Sequence, residues 1–429
     1  MKALKILFLA HRIPYPPNKG DKIRSYHELV HLSRRHEVSL ACFVDRAEEM
    51  AHVETLKGLC ASVDAVPLDP RWSRAKSAAG LLGRRPLSLA YFSSAEMRRR
   101  VEARLAETAF DAIFVFSSVM GAFVPKGAGT PMVVDFVDVD SDKWRQYAVF
   151  QPRRTRWIYR IEAGRLARYD VALAGRAARC LFATEADAAL FRKMAPGARV
   201  AAVGNGVDTG YFSRETAGAL PRPANAGQVV FTGAMDYAAN VDAVCHFALE
   251  VWPTIRREVP GASFTIVGSH PAEAVRRLAE IPGVVVTGSV PDVRPYLFHA
   301  AVSVAPVRIA RGVQNKVLEA MAMGLPVVAS PQAFEGIEAA AGEDLFVEDN
   351  PQRFATRVIR ILRNPHLSGK LSENARRAIH ERYDWDRNMS LLERLVERAA
   401  LRAPVDEAEG LSSQQAAQPA QGLQAVAER

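Results

Sequence analysis

The chain alternates short apolar runs with longer stretches of helical periodicity, and it does so twice. The first series of expected strands lies at 6–10, 37–43, 112–116, 132–136, 180–183 and 199–203. The second lies at 229–232, 263–267, 284–287, 302–305 and 327–329. Helical patterns such as 22–35, 187–194, 241–258 and 316–323 fill the gaps. Short runs that are apolar throughout are buried on both faces, and chains of this kind fold as parallel sheets with helices on either side. A chain of 429 residues exceeds one ordinary core and suits two domains of about 200 residues each. The stretch 209–228, rich in Gly, Pro and Ala, reads as the linker between the two series.

Charge is divided unevenly. Residues 1–206 hold 33 Lys+Arg against 21 Asp+Glu, a balance of +12. The remainder of the chain, with 56−33=23 basic and 47−21=26 acidic residues, stands at −3. The basic half contains two arginine-rich stretches with aromatic or apolar companions. One has Arg71, Arg74, Lys76, Arg84 and Arg85 with Trp72, Leu81 and Leu82. The other has Arg153, Arg154, Arg156 and Arg160 with Trp157 and Tyr159. Such segments suit solvated helices or an anionic membrane surface. No basic recognition helix stands out, so nucleic acid is the least favoured partner.

Cys42, Cys60, Cys180 and Cys245 match no zinc spacing and read as reduced thiols in a reducing compartment. The opening residues to Ala10 read as a buried strand, since the apolar run is short and His11-Arg12 interrupts it. No run of 18 apolar residues occurs, so no spanning helix is expected. These features place the protein in the cytoplasm, or peripherally on the inner face of the membrane.

The most informative segment runs from Val302 to Ala329 and reads as strand, loop, helix, a stop at Gly324, and strand. Ligands of open parallel sheets bind beyond the carboxyl ends of the strands. Here that place is the loop 306–314, with Arg308, Arg311 and Gly312 leading into a helix N-terminus, a setting suited to phosphate. On the helix, Lys316 and Glu319 are three residues apart and share a face, about 4.5 Å apart along the axis. A cation with a carboxylate one turn on suits a diphosphate beside a ribose. The same spacing also describes a surface Lys–Glu pair. Two motifs remain open at this level. Gly204-Asn-Gly-Val-Asp-Thr-Gly210 mimics a dinucleotide fingerprint but leads into the linker and not a helix, which argues against a dehydrogenase. Asp138-Val-Asp140 suits a divalent metal or a solvated strand end with Asp140 capping a helix.

Glu319-Ala-Met-Ala-Met-Gly-Leu-Pro-Val-Val328 resembles the donor-binding signature of the retaining family 4 glycosyltransferases. The resemblance extends to about residue 400. Asn205-Gly-Val-Asp208 with Phe212 resembles their domain junction. Phe231-Thr-Gly-Ala-Met-Asp-Tyr237 resembles the first turn of their donor domain, and Gly288-Ser-Val-Pro-Asp292 the loop that closes over the base. Many of these enzymes carry a Glu eight residues before Glu319, where this chain has Arg311. In that respect it resembles a variant pattern, Gly312-Val-Gln-Asn-Lys316. Met235 and Asn240 stand where most relatives place an Arg and a Lys. The finer match, through residues 14–24 and 135–144, is to sugar transferases associated with exosortase-type exopolysaccharide systems.

The resemblance implies an α/β fold of GT-B architecture, with two Rossmann-like domains facing across a cleft. Residues 1–205 would form the acceptor side and 206–385 the nucleotide-sugar side. Residues 386–402 would be a helix returning to the first domain, and 403–429, poor in anything to bury, a disordered tail. It implies transfer of a sugar from a nucleotide-sugar donor to a glycan or polyprenyl-linked acceptor with retention of configuration, without a metal or resident cofactor. Arg311, Lys316 and Asp138 would be catalytic. Glu319, Gly312, Gly20, Gly233 and Asp292 would hold the donor. The rival reading is a catalytically silent nucleotide-sugar-binding subunit of a membrane-associated polysaccharide assembly.

Overall fold

The computed structural model describes residues 2–17, 20–309 and 313–402. Two wholly parallel sheets organise it. The first has seven strands, β1 (Lys5–Ala10), β2 (Glu37–Val44), β3 (Ser62–Pro67), β4 (Ala112–Phe116), β5 (Met132–Val137), β6 (Arg179–Phe182) and β7 (Val200–Ala202), in the order β3-β2-β1-β4-β5-β6-β7. The second has six, β8 (Val229–Thr232), β9 (Phe264–Val267), β10 (Val284–Gly288), β11 (Val302–Ala305), β12 (Val327–Ala329) and β13 (Phe346–Val347), in the order β10-β9-β8-β11-β12-β13. Both sheets therefore repeat one doubly wound topology. Central strands such as β4 and β8 are buried at every position, as strands covered by helices on both faces must be. The GT-B architecture follows from this pairing of sheets.

Eleven of the strands fall where the apolar runs put them; β3 and β13 do not come from such runs. In β3 Val66 alone is fully buried. Its Asp64 faces the edge of the sheet and takes Arg104 Nε at 2.7 Å. The strand therefore carries little of the apolar signal that marks its neighbours. β13 is two residues long. The helix expected over 241–258 is divided, with Ala238–His246 and Trp252–Glu258 joined by a wider turn at Phe247–Val251. Gly324 does stop its helix, at a left-handed φ of +63° that costs glycine little. All four cysteines are free, and burial pushes the Cys60 and Cys180 thiols up to about 12.

The last helix, Trp385–Ala400, packs its apolar face on β4 and β5 and on the first helix, Gly20–Ser33, through Trp385, Met389, Leu392 and Val396. Trp385 stacks on His27 at 4.2 Å. Among the described residues, one His/Cys/Asp/Glu group has ligand atoms close enough for a metal, His36 with Glu393 and Glu397. The Leu4 N–H donates to His36 Nδ1 at 3.2 Å, so the neutral ring carries its proton on Nε2, facing Glu393 Oε1 at 3.2 Å. This group pins the returning helix.

A second buried ionic group sits where the elements meet. Arg24 Nε donates to Asp135 Oδ2 at 2.6 Å and lies 3.0 Å from Glu28. Its Nη1 donates to Val203 O at 2.9 Å and to Asn205 Oδ1 at 2.8 Å. Arg24, Glu28 and Asp135 are all buried. Burial, with Asp135 beside it, raises the Glu28 carboxyl well above its usual range despite Arg24. Removing one partner from such a group strands the others. Arg24→Leu is expected to lower stability by about 3–5 kcal/mol, read as a shift of the urea midpoint. An unchanged midpoint would contradict this reading.

Candidate functional site

The carboxyl ends of the two sheets face one cleft of about 1430 Å³, larger than the roughly 300–1,000 Å³ usual for one small ligand. In each sheet the strand order turns outward in both directions from a neighbouring pair, β1 with β4 and β8 with β11. Ligands bind beyond such switch points. His11 and Ser117 follow β1 and β4, Gly233 follows β8, and all three line the cleft. Close approach fixes the glycine at the end of β9: a Cβ on Gly268 would lie 1.7 Å from Gly233 O.

The wall from the second domain carries the helix Asn315–Ala322. Val317 and Met321 are wholly buried against the sheet, which turns Lys316 and Glu319 to the cleft. Lys316 Nζ donates to Asn240 Oδ1 at 2.6 Å and stands 4.7 Å from the centre of the Phe231 ring. Its hydrogen-bond partner is thus an amide and not a carboxylate, unlike a surface Lys–Glu pair. Burial, partly opposed by Glu319, brings the ammonium down to about 8. Burial, partly opposed by Lys316, lifts the Glu319 carboxyl to about 7. Two opposite charges are held poorly solvated and close to neutral titration, a common condition of binding sites. Met235 is fully buried and does not face the cleft, whereas Asn240 does.

From the other wall comes the first helix, whose first residue is Gly20. A Cβ on Gly20 would lie 3.6 Å from Asn315 Nδ2. Two helix N-termini therefore meet across the cleft, and both favour negative charge there. Asp21 pairs with Arg12 at 2.7 Å and with His11 Nε2 at 3.4 Å. Against a burial that works the other way, these partners hold the Asp21 carboxyl far below its usual range.

Asp138 reaches the cleft through strain. Val137 has φ +68°, an outlier for a β-branched residue, at a register shift between β5 and β6. Its N–H donates to Asp135 Oδ1 at 3.0 Å, and its carbonyl accepts from Ala183 N at 2.7 Å. Such a conformation costs about 1–3 kcal/mol and survives where the surroundings impose it. Burial raises the Asp138 carboxyl, with Lys143 opposing. Lys143 Nζ lies 3.3 Å from both Asp138 Oδ2 and Asp140 Oδ1, so an ammonium bridges the Asp-x-Asp pair. Asp140 is the first residue of its helix, which has Val139 as its cap, so of the open readings the helix cap does not hold. Asp135, at the same strand end, is fully buried.

The structure gathers Asp138, Lys316, Glu319, Gly20, Gly233 and Asp292 around this cleft; Arg311 and Gly312 lie outside the described residues. Asp292 is chelated by Arg294, at 2.6 Å and 2.9 Å, and Arg294 lies over the Tyr211 ring at 3.9 Å. Sequence reading passed over His11, whose ring stacks on Phe116 at 5.7 Å, and over Lys143. It also passed over Tyr147, whose hydroxyl donates to that of Tyr237 across the cleft at 2.8 Å. A histidine directly after the first strand was the available signal; Lys143 lies within the segment 135–144 and Tyr147 just beyond it on the same helix.

Residues 226–364 match the family of glycosyl transferases group 1. No curated protein matches the chain. Similar solved structures include sucrose-phosphate synthase from Thermosynechococcus elongatus, at TM-score 0.66 and 14% identity, covering 93% of this chain and 100% of that one. Anabaena HepE in complex with UDP and glucose aligns at TM-score 0.63 and 16% identity, over 96% and 100%. S. aureus TarM in complex with fondaparinux, alpha-GlcNAc-glycerol and UDP aligns at TM-score 0.61 and 10% identity, over 92% and 99%. The chain thus has the two-domain GT-B fold of glycosyltransferases, and its second domain matches the group 1 glycosyl transferase family.

Proposed function

We propose that the protein transfers a sugar, of hexosyl type, from a nucleotide-sugar donor to a glycan or lipid-linked acceptor with retention of anomeric configuration. The observation that carries this reading is Lys316 and Glu319 on one helix whose N-terminus meets that of the Gly20–Ser33 helix across the cleft. Lys316 and the two helix ends stabilise the charge that grows on the leaving diphosphate. Glu319 accepts the ribose hydroxyls, Gly233 and Gly20 admit the phosphates, and the loop bearing Asp292 covers the base. Asp138 positions the acceptor hydroxyl, whose proton passes to the leaving diphosphate. The resemblance adds Arg311 and Gly312 as phosphate contacts. Lys143 between Asp138 and Asp140 supports chemistry that runs without a metal. The HepE structure bound to UDP-glucose supports a donor of that class. The likeness to exosortase-associated transferases supports a place in exopolysaccharide synthesis on the cytoplasmic side.

Screening nucleotide sugars for time-dependent release of the nucleoside diphosphate tests the reading. Release that a chelator does not affect is expected. A tight-binding donor that is never cleaved, with any acceptor offered, would favour the silent binding subunit, and loss of activity on chelation would revive a metal on the two aspartates.

Glu319→Ala is expected to weaken UDP-sugar and UDP alike, because the ribose is common to both, by about 1.5–3 kcal/mol for one charged hydrogen-bonding group. Calorimetry showing unchanged UDP affinity would refute the ribose role.

With Lys316 titrating near 8, it loses its charge as pH rises, and a bound diphosphate resists that loss. UDP affinity is therefore expected to hold to about pH 7.5 and then fall by up to tenfold per unit above 8. The last phosphate ionisation, near pH 6, is already complete in that range. Lys316→Ala is expected to flatten the profile and to lower turnover more than donor affinity. The same slope in the variant would remove Lys316 from the phosphate site.

A further inference from the structure

Two stretches of the first domain lack acidic residues altogether, 70–95 and 143–161. Far apart in sequence, they meet in the fold. Arg165, on the helix Arg153–Ala174, donates from Nη1 to Gly80 O at 3.0 Å and Arg85 O at 3.2 Å, and from Nη2 to Leu81 O at 3.1 Å. One turn earlier, Glu162 accepts the Leu87 and Ser88 N–H groups at 2.5 Å and 2.9 Å. The loop 80–86 is thereby fastened along the helix. Arg71, Arg74, Arg84, Arg85, Arg153 and Arg154 are exposed, and none of them is in an ion pair among the described residues.

Large apolar side chains stand out among these cations. Leu82 is 96% exposed, Val149 67%, Trp72 66% and Trp157 50%. No helix among the described residues is long and apolar enough to cross a membrane. We propose that the hairpin of helices Asp140–Phe150 and Arg153–Ala174, with the loop 80–86 fastened to it, docks on an anionic bilayer. Arginines meet the lipid phosphates, while Trp157, Trp72 and Leu82 enter the interfacial layer. Cations alone would equally suit an acidic polymer, but protruding Leu and Trp gain nothing from a hydrated polyanion and do gain from acyl chains. The Asp140–Phe150 helix also links the face to the cleft. Asp140 and Lys143 line the cleft at its start, and Val149 projects near its end. Its 11 residues span about 16 Å, so a docked domain holds its cleft about that far from the docking face, within reach of a lipid-linked acceptor. The last clause rests on the transferase reading; the docking does not.

The test is co-sedimentation of the full chain with vesicles of phosphatidylcholine alone or with phosphatidylglycerol, at low and high salt, beside nucleotide-sugar hydrolysis in solution. Expected are binding that requires the anionic lipid, a loss of about tenfold or more in partitioning at high salt, and quenching of tryptophan fluorescence by brominated lipid that Trp157→Ala reduces. Replacing Arg84, Arg85, Arg153 and Arg154 by Glu is expected to abolish binding and leave hydrolysis in solution unchanged. Equal binding to neutral and anionic vesicles, binding to neither, indifference to those replacements, or preference for an acidic polysaccharide over vesicles would each overturn the docking. Docking without any donor cleavage would overturn the transferase reading and leave the docking standing.

Discussion

The guanidinium of Arg24 is the point on which the rest of the structure depends. It leaves the first helix, meets the Asp135 carboxylate on β5 at 2.6 Å, and takes the Asn205 amide oxygen at 2.8 Å just where the first sheet ends. Asn205 in turn approaches Asn315, first residue of the Lys316 helix, at 3.5 Å, and its carbonyl accepts from Asn388 of the returning helix at 2.9 Å. Through Asn205, one buried cation thus connects the first sheet, the Lys316 helix and the C-terminal helix. A charge with 1% exposure tolerates little displacement, because every lost hydrogen bond leaves an unsolvated ion.

The chemistry of the cleft follows from this placement. Each wall offers a helix N-terminus, and each pairs it with titratable groups whose burial counts against their charge. In the first domain the backbone is strained at Ser117 and Val137, both at strand ends that open into the cleft. The strain at Val137 turns Asp138 out of the sheet, and Asp135, two residues earlier, remains inside to hold Arg24. Two acids three residues apart thereby take opposite places, one buried with Arg24 and one facing the cleft.

Much of this was legible in the sequence where the signal is local. Apolar runs marked the strands that are covered on both faces, and the segment from Val302 to Ala329 disclosed a strand, a phosphate-suited helix start and a glycine stop. The edge strands β7 and β10 were legible, but β3 and β13 were not, since β3 keeps Asp64 in place of an apolar residue and β13 is two residues long. The Arg24–Asp135 pair spans 111 residues, and no local pattern announces a contact of that range. The readings of Asp138 and Asp140 stayed open because spacing alone cannot separate a carboxylate buried like Asp135 from one bridged by Lys143. Met235 and Asn240 illustrate the same limit. Both sit at a motif position, but the core takes the first and Lys316 takes the second.

The central claim is that one helix, Asn315–Ala322, holds the diphosphate and the ribose of the donor at the meeting of two helix N-termini. A crystal structure of the full chain with UDP bound tests it most directly. The account predicts diphosphate oxygens within about 3.2 Å of Lys316 Nζ and ribose hydroxyls at the same range from the Glu319 carboxylate, with Asn240 released from Lys316 or sharing it. A nucleotide seated elsewhere, or one whose phosphates lie away from Lys316 while Asn240 keeps it, would contradict the account.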